Sequence, residues 1–356
     1  MTLLDAKPHQ QAEPSGSADG LAGCRIRVVY RDAAGLIHLD WPVDQVRAAL
    51  DDREGCVWVD INDPEPSTSN VPETLLRDVF KFHPLAIEDA LKETHVPKVD
   101  DWGDYLYLVF HSLEYDAGGG HVKLHELDVF LGKNYLVTYH TEPLGFLEQD
   151  RRNIERDPAN RLRHGVDHLL YHFLDLAVAE FLPAIEALDF AIDAAQEEVF
   201  HSPTPRTLQA IFRIKRSALK LHRVIGPERE VLNRLARDAY APIPDDHRVY
   251  FRDVYDHLVR IHDLSESLRD LISGALDTYL SAISNRTNDT MRTLTLVTVM
   301  FLPMSFLAGF FGMNFFGETL AFTAELPRRT MFLLTCMVMG GSFLGQWWWA
   351  KKKGWI

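Results

Sequence analysis

TLTLVTVMFLPMSFLAGFFGMNFFG, residues 293–317, runs for 25 positions without a Lys, Arg, Asp or Glu. A second uncharged stretch, TMFLLTCMVMGGSFLGQWWWA, occupies residues 330–350. A bilayer core is crossed by roughly 20 apolar residues in a helix, so each stretch is long enough to span. Arg286 and Arg292 precede the first and Lys351, Lys352 and Lys353 follow the second, whereas the connection holds only Arg328 and Arg329. The excess of flanking positive charge places both termini in the cytoplasm and the short connection outside. Trp347, Trp348 and Trp349, beside the lysines, suit an interfacial aromatic belt.

Upstream of the first stretch, no proline occurs between Asp245 and Pro303, and Gly274 is the only glycine before Gly309. Leu258, Ile261, Leu264, Leu268, Leu271, Ala275, Tyr279 and Ile283 recur at three- and four-residue steps, the mark of one helix face. The pattern predicts a single helix from about residue 246 to 311, on the order of 100 Å long. Pro303 is tolerable inside it because membrane neighbours re-satisfy the freed carbonyl. Another face carries Asp277, Ser281, Ser284, Asn288, Met291, Thr295, Thr298, Leu302, Ser305 and Gly309, polar or small through most of the membrane. Such residues serve as helix-packing contacts in many membrane proteins. Two spans alone enclose no water path, so a pore needs several copies about an axis.

The rest of the chain is acidic. Net charge is -14 over 356 residues, yet residues 291–356 hold six basic and two acidic side chains. A body this negative repels phosphates, which excludes nucleic acid as a partner and favours cations. Three well-separated cysteines, Cys24, Cys56 and Cys336, give neither a disulfide framework nor a thiolate zinc site. Residues 1–22 lack the apolar core of a signal peptide and read as a disordered tail. Strands are expected at 25–30, 36–41, 57–61, 105–111, 121–131 and 135–139, with helices near 72–82 and 84–93. This makes a cytoplasmic α/β domain over 23–150. Helices at 166–200 and 204–237 then form a hairpin within 151–244, the first acidic and the second basic, with ion pairs between them. The stalk and first transmembrane helix take 245–311, an outer loop 312–329, the second span 330–350 and a basic tail 351–356. No glycine-rich phosphate loop, GxSxG or HExxH occurs, so no enzyme is expected.

Gly312-Met313-Asn314 at the outer end of the first span, followed by a second span and a basic tail, resembles the CorA magnesium-transporter family. SNRTNDTMRTLT (284–295), YFRDVYDH (250–257) and HPLAIED (83–89) are similar to further segments of it, so that the likeness covers residues 25–356. The resemblance implies a funnel-shaped homopentamer in the inner membrane with a central pore lined by the first span. It implies Gly312, Met313 and Asn314 as the selectivity filter, with a ring of Asn314 amides accepting hydrogen bonds from hydrated Mg2+. Neutral amides suit an ion that dehydrates reluctantly and must leave again. By the same resemblance Asn288, Met291, Leu294, Leu302, Ser305 and Gly309 line the path. Met291, Leu294 and Leu302 form an apolar constriction, and Asp277 rings the cytoplasmic mouth. Glu88, Asp89, Asp175 and Asp253 are implied as regulatory Mg2+ ligands at subunit interfaces, closing the pore when internal Mg2+ is high.

The chain departs from the family pattern in three places. Phe311 stands where Tyr is common, Leu302 replaces a more flexible Met, and the loop acids are displaced to Glu318 and Glu325. A further feature lies outside the pattern. His164, His168 and His172 fall at i, i+4 and i+8 with Asp175 a turn on, a spacing that can hold zinc, cobalt or nickel and equally suits a wet helix face. It keeps open a Zn2+ or Co2+ transporter similar to the ZntB branch, with Co2+, Ni2+ or Zn2+ as further cargo, while the intact GMN favours Mg2+. A membrane-tethered sensor is the remaining alternative. The polar stripe and the absence of a linker before the span argue against it.

Overall fold

The computed structural model describes residues 23–66, 70–92, 96–116, 118, 120–157, 162–312 and 328–354. The expected tail at 1–22, most of the outer loop, and Met313 and Asn314 of the filter lie outside these. The chain divides into two compact units, one from Met1–Asp193 with Ile211–Ile272, the other from Ala194–Ala210 with Ser273–Ile356.

The first unit is built on a seven-stranded sheet. Its strands are β1 (Arg25–Arg31), β2 (Ile37–Leu39), β3 (Cys56–Asn62), β4 (Lys98–Asp101), β5 (Leu106–Asp116), β6 (His121–Leu131) and β7 (Tyr135–His140), in the order β2-β1-β3-β7-β6-β5-β4. Only the central β3–β7 pair is parallel, with Val57 opposite Tyr135 and Asn62 opposite His140; the other pairs are antiparallel. The period-2 alternation of strands sends Val57, Val59 and Ile61 to one face and Trp58 to the other. On the first face they join Tyr107, Val109, Phe130, Val137 and Tyr139. That core is closed by α1 (Val46–Asp51), α2 (Val71–Thr74, prolonged by a π turn over Leu75–Val79) and α3 (Pro84–Lys92).

The opposite face is covered by a later helix. After α4 (Gly145–Arg156) comes α5 (Val166–Ala179), which lies against β3, β5, β6 and β7. Phe173, fully buried, packs on Trp58 with ring centroids 5.0 Å apart and the rings tilted by 56°. Trp58 Nε1 donates to Thr138 Oγ1 (3.1 Å), and Thr138 donates to Asp60 (2.7 Å). The sheet layers therefore take in a helix beyond residue 150, the expected end of the α/β domain.

The single helix expected at 166–200 is two, α5 and α6 (Phe181–His201), broken at Glu180. Pro183 is the physical reason: it has no N–H for the Ala179 carbonyl, and its ring crowds that carbonyl. α7 (Pro205–Arg237) starts where expected. Thr204 Oγ1 accepts from the Thr207 N–H (3.2 Å), an N-cap with proline in the first helical position. Thr207 of α7 donates to Glu198 of α6 (2.9 Å), but the side chains further along α7 find other partners. Lys220 donates to the Val122 carbonyl, Arg234 to that of Val99, and His222 approaches Glu266.

α8 (Arg248–Gly312) is one helix of 65 residues, within two residues of the expected bounds, and contributes to both units. Among the described residues it is the one helix long and apolar enough to cross a membrane. α9 (Arg328–Lys352) follows in the second unit. Arg292 of α8 donates to the Gly354 carbonyl just past α9, so the basic ends of the two uncharged runs meet. Lys352 Nζ sits 5.3 Å over the Trp348 ring.

Candidate functional site

From Arg292 to Gly312, α8 rises about 30 Å, the thickness of a hydrocarbon core. Asp277, Asn288, Met291, Leu294, Leu302, Ser305 and Gly309 are exposed along it in the isolated chain. At 100° per residue the stripe from Asp277 to Gly309 drifts by only about 40°, so it keeps to one side of the helix. Gly312 ends α8, and the two residues after it are the undescribed members of the expected filter.

The threonines of this segment share one geometry. Thr295 Oγ1 donates to the Met291 carbonyl (2.8 Å) and Thr298 Oγ1 to the Leu294 carbonyl (2.9 Å). Thr287, Thr290 and Thr293 do the same one turn back. The hydroxyl proton is thereby committed to the backbone, and the oxygen offers only lone pairs outward. Such oxygens accept hydrogen bonds from water that is itself bound to a cation. Leu302 stands on this stripe and Leu294 beside its edge, about 12 Å apart along the axis. Apolar flanks at Val297, Val299, Phe301, Phe306 and Phe310 are exposed as well.

The four expected regulatory carboxylates belong to the first unit. Glu88 and Asp89 lie on α3, where Lys92 pairs with Glu88 (2.5 Å) and Lys98 of β4 with Asp89 (2.5 Å). Lys98 also reaches Asp100 at 2.9 Å. Partial burial lowers the Lys98 pKa, but its hydrogen bonds to Asp89 and Asp100 outweigh that and hold the ammonium above its ordinary range. Asp175 on α5 is 3.6 Å from His257 of α8, one turn beyond the exposed Asp253. Among the described residues, these carboxylates do not converge into a three-ligand cluster within one chain.

The rings of the histidine stripe pack on one another, His164 exposed and His168 and His172 half-buried. His168 lies edge-on to His164 and His172, with centroids 5.1 and 4.7 Å apart, and to Tyr250 at 4.7 Å. His247 Nδ1 meets Asp167 Oδ2 at 2.6 Å. The expected fourth member, Asp175, pairs with His257 instead. Donor atoms do converge at a set that sequence reading missed, His222 of α7 with His262 and Glu266 of α8. The i, i+4 spacing of His262 and Glu266 was visible; their partner stands 40 residues earlier, and only the packing of α7 on α8 supplies it.

Two buried acids complete the electrostatics of this unit. Glu228 is fully buried and accepts the His111 N–H (2.9 Å); burial raises its pKa well above the ordinary value. Glu180, at the α5–α6 break, accepts the Leu113 N–H (3.2 Å) and is pushed up to about 7, by burial first and by the Glu114 charge after it.

The family model described as CorA-like Mg2+ transporter protein matches residues 53–352. The cobalt/magnesium transport protein CorA of Thermotoga maritima is 33% identical over 279 residues, 78% of each chain. The zinc transport protein ZntB of Yersinia pseudotuberculosis is 25% identical over 281 residues, 77% of this chain and 81% of the relative. Among solved structures, the complete CorA magnesium transporter of Methanocaldococcus jannaschii superposes with a TM-score of 0.76 at 19% identity, covering 92% of this chain and 98% of that one. This last likeness shows the fold, an α/β domain carrying a long helix.

Proposed function

Because the chain belongs to the CorA-like Mg2+ transporter family, we propose that it is a channel-like divalent cation transporter that takes up Mg2+ down its electrochemical gradient. The observation that carries this reading is the one-sided stripe of α8, polar or small from Asp277 to Gly309 and followed directly by Gly312-Met313-Asn314. Five copies about an axis turn that stripe inward. Their apolar flanks meet lipid and α9, which accounts for the exposed Val, Phe and Leu of an isolated chain. Both α8 and α9 then cross the inner membrane with the termini in the cytoplasm.

In this reading Asn314 amides, with Gly312 and Met313 as the other members of the filter, accept hydrogen bonds from the hydrated ion at the outer mouth. Gly309, Ser305, Thr298, Thr295 and Asn288 hand the ion along without stripping its water. Met291, Leu294 and Leu302 form the dewetting gate, and the Asp277 ring concentrates cations at the inner mouth. The inside-negative potential supplies ~2.3 kcal/mol per charge per 100 mV, doubled for a divalent ion, so no nucleotide is consumed.

Regulation rests on Glu88, Asp89, Asp175 and Asp253. Each carries negative charge at the surface of one chain without a complete ligand set, so a second copy completes the Mg2+ site. When internal Mg2+ falls, facing carboxylates repel and the ring loosens toward opening.

The test is ion uptake into liposomes loaded with a magnesium dye, comparing the natural protein with Asn314→Ala. Influx abolished by the substitution supports both transport and filter. Zinc entry without magnesium entry moves the assignment to the ZntB-like alternative. Entry of neither ion by an intact pentamer leaves the tethered sensor.

A further inference from the structure

We propose that His222, His262 and Glu266 bind a first-row divalent metal of borderline softness (zinc, cobalt or nickel) and that this metal ties α7 to α8. The inference is independent of which ion the protein transports. His262 and Glu266 are one turn apart on α8, so they project from the same face, and His222 reaches them from α7. One donor atom from each residue lies within 4.8 Å of the other two. His222 Nδ1 is 3.3 Å from Glu266 Oε1, and the two imidazole centroids are 5.8 Å apart. Ligands about 2.0–2.2 Å from a tetrahedral metal stand about 3.4 Å from each other. One pair is thus already at ligand spacing, and the third donor needs a closing movement of at most about 1.4 Å, within the reach of side-chain rotation.

Hydrogen bonding points the same way. Nδ1 of His222 and Nδ1 of His262 are buried from solvent and make no hydrogen bond, despite carboxylates at 3.3 and 3.7 Å. A buried imidazole nitrogen without a hydrogen bond is costly, and ligation of a metal removes that cost. Glu266 uses its other oxygen to accept from Arg269 Nη2 at 2.9 Å, which fixes the carboxylate plane as outer partners of metal ligands do. All three ligand residues are half-buried rather than sealed in the core.

The donor set decides the metal. Two imidazoles and one carboxylate suit zinc, cobalt and nickel, whereas magnesium prefers oxygen ligands and keeps most of its water. This site is therefore chemically orthogonal to the all-carboxylate set of Glu88, Asp89, Asp175 and Asp253.

Cobalt titration of the full-length protein in detergent, with magnesium in large excess, tests the site by visible absorption. One equivalent of Co2+ per chain giving the intense bands of a four- or five-coordinate centre is expected. His222→Gln and His262→Gln should abolish those bands, and His168→Gln should retain them. Glu266→Gln, which keeps side-chain size, should weaken cobalt binding by about tenfold or more, and it serves if either histidine variant loses its native elution or circular dichroism. Thermal melts with Zn2+ give a second reading: wild type should gain protection that His262→Gln lacks. Bands unchanged in the histidine variants, or equal zinc protection in wild type and variant, would reduce the cluster to an ordinary His–Glu ion pair and overturn the proposal.

Discussion

Lys98 Nζ lies 2.5 Å from Asp89 Oδ2, so the carboxylate proposed to bind regulatory Mg2+ is held by a cation of its own chain. Closing the pore through Asp89 then means exchanging a single positive charge for a double one. Half-exposed ion pairs of this kind contribute about 0.2–1 kcal/mol. Lys98→Met should accordingly lower the internal Mg2+ concentration that half-closes the transporter, by roughly two- to fivefold. Uptake measured into vesicles preloaded with graded Mg2+ reads that concentration. A value unchanged or raised would remove Asp89 from the sensing site.

Thr298 presents an acceptor oxygen between Leu294 and Leu302. Thr298→Val removes it while keeping the branched shape, and the lost bond to cation-borne water is worth about 1 kcal/mol. Mg2+ uptake should fall roughly fivefold, with helix content and oligomer size unchanged. Thr298→Ser should stay near wild type. If Thr298→Val transports normally, the stripe does not face the ion.

Glu180 makes stability depend on pH. Its folded pKa of about 7 lies above the ordinary 4.5, so the folded state keeps a proton that the unfolded chain releases. The stabilisation is complete below about 4.5 and is lost as pH rises through about 7. Glu228, buried and also raised, adds a slope of the same sign. In melts taken across this window, Glu180→Gln should flatten the fall in Tm and end higher than wild type at pH 8. A parallel curve would show that Glu180 does not titrate there.

Phe173 fastens α5 to the sheet through Trp58. Phe173→Ala opens a cavity in a fully buried position and should cost on the order of 3–5 kcal/mol. A thermal melt of the purified protein should show it as a clear fall in Tm. A shift of less than about 2 °C would mean that α5 is not integral to this core.

The long helix was legible because residues 245–302 contain no proline and one glycine, leaving nothing to end it. Strands β3, β5, β6 and β7 announced themselves as Val-, Tyr- and Phe-rich runs between turns. β4 did not, because Lys98-Val-Asp-Asp101 is a short, charged edge strand whose identity comes from pairing with β5. The α5–α6 break was legible in principle from Pro183, yet the acidic helical pattern on either side masks it. Convergence of His222 with His262 and Glu266 depends on helix packing, which no local spacing encodes. The proposed path residues were read as a stripe, and the structure adds the direction of their hydroxyl protons.

Those protons have one more consequence. With Thr295 and Thr298 each donating to the backbone four residues earlier, these two hydroxyls show lone pairs outward and no proton. In the proposed pore, chloride or phosphate would find no donor at these two threonine oxygens, only repulsion between electron pairs. In that pore the two threonine positions would discriminate by the sign of an ion's charge while carrying none themselves.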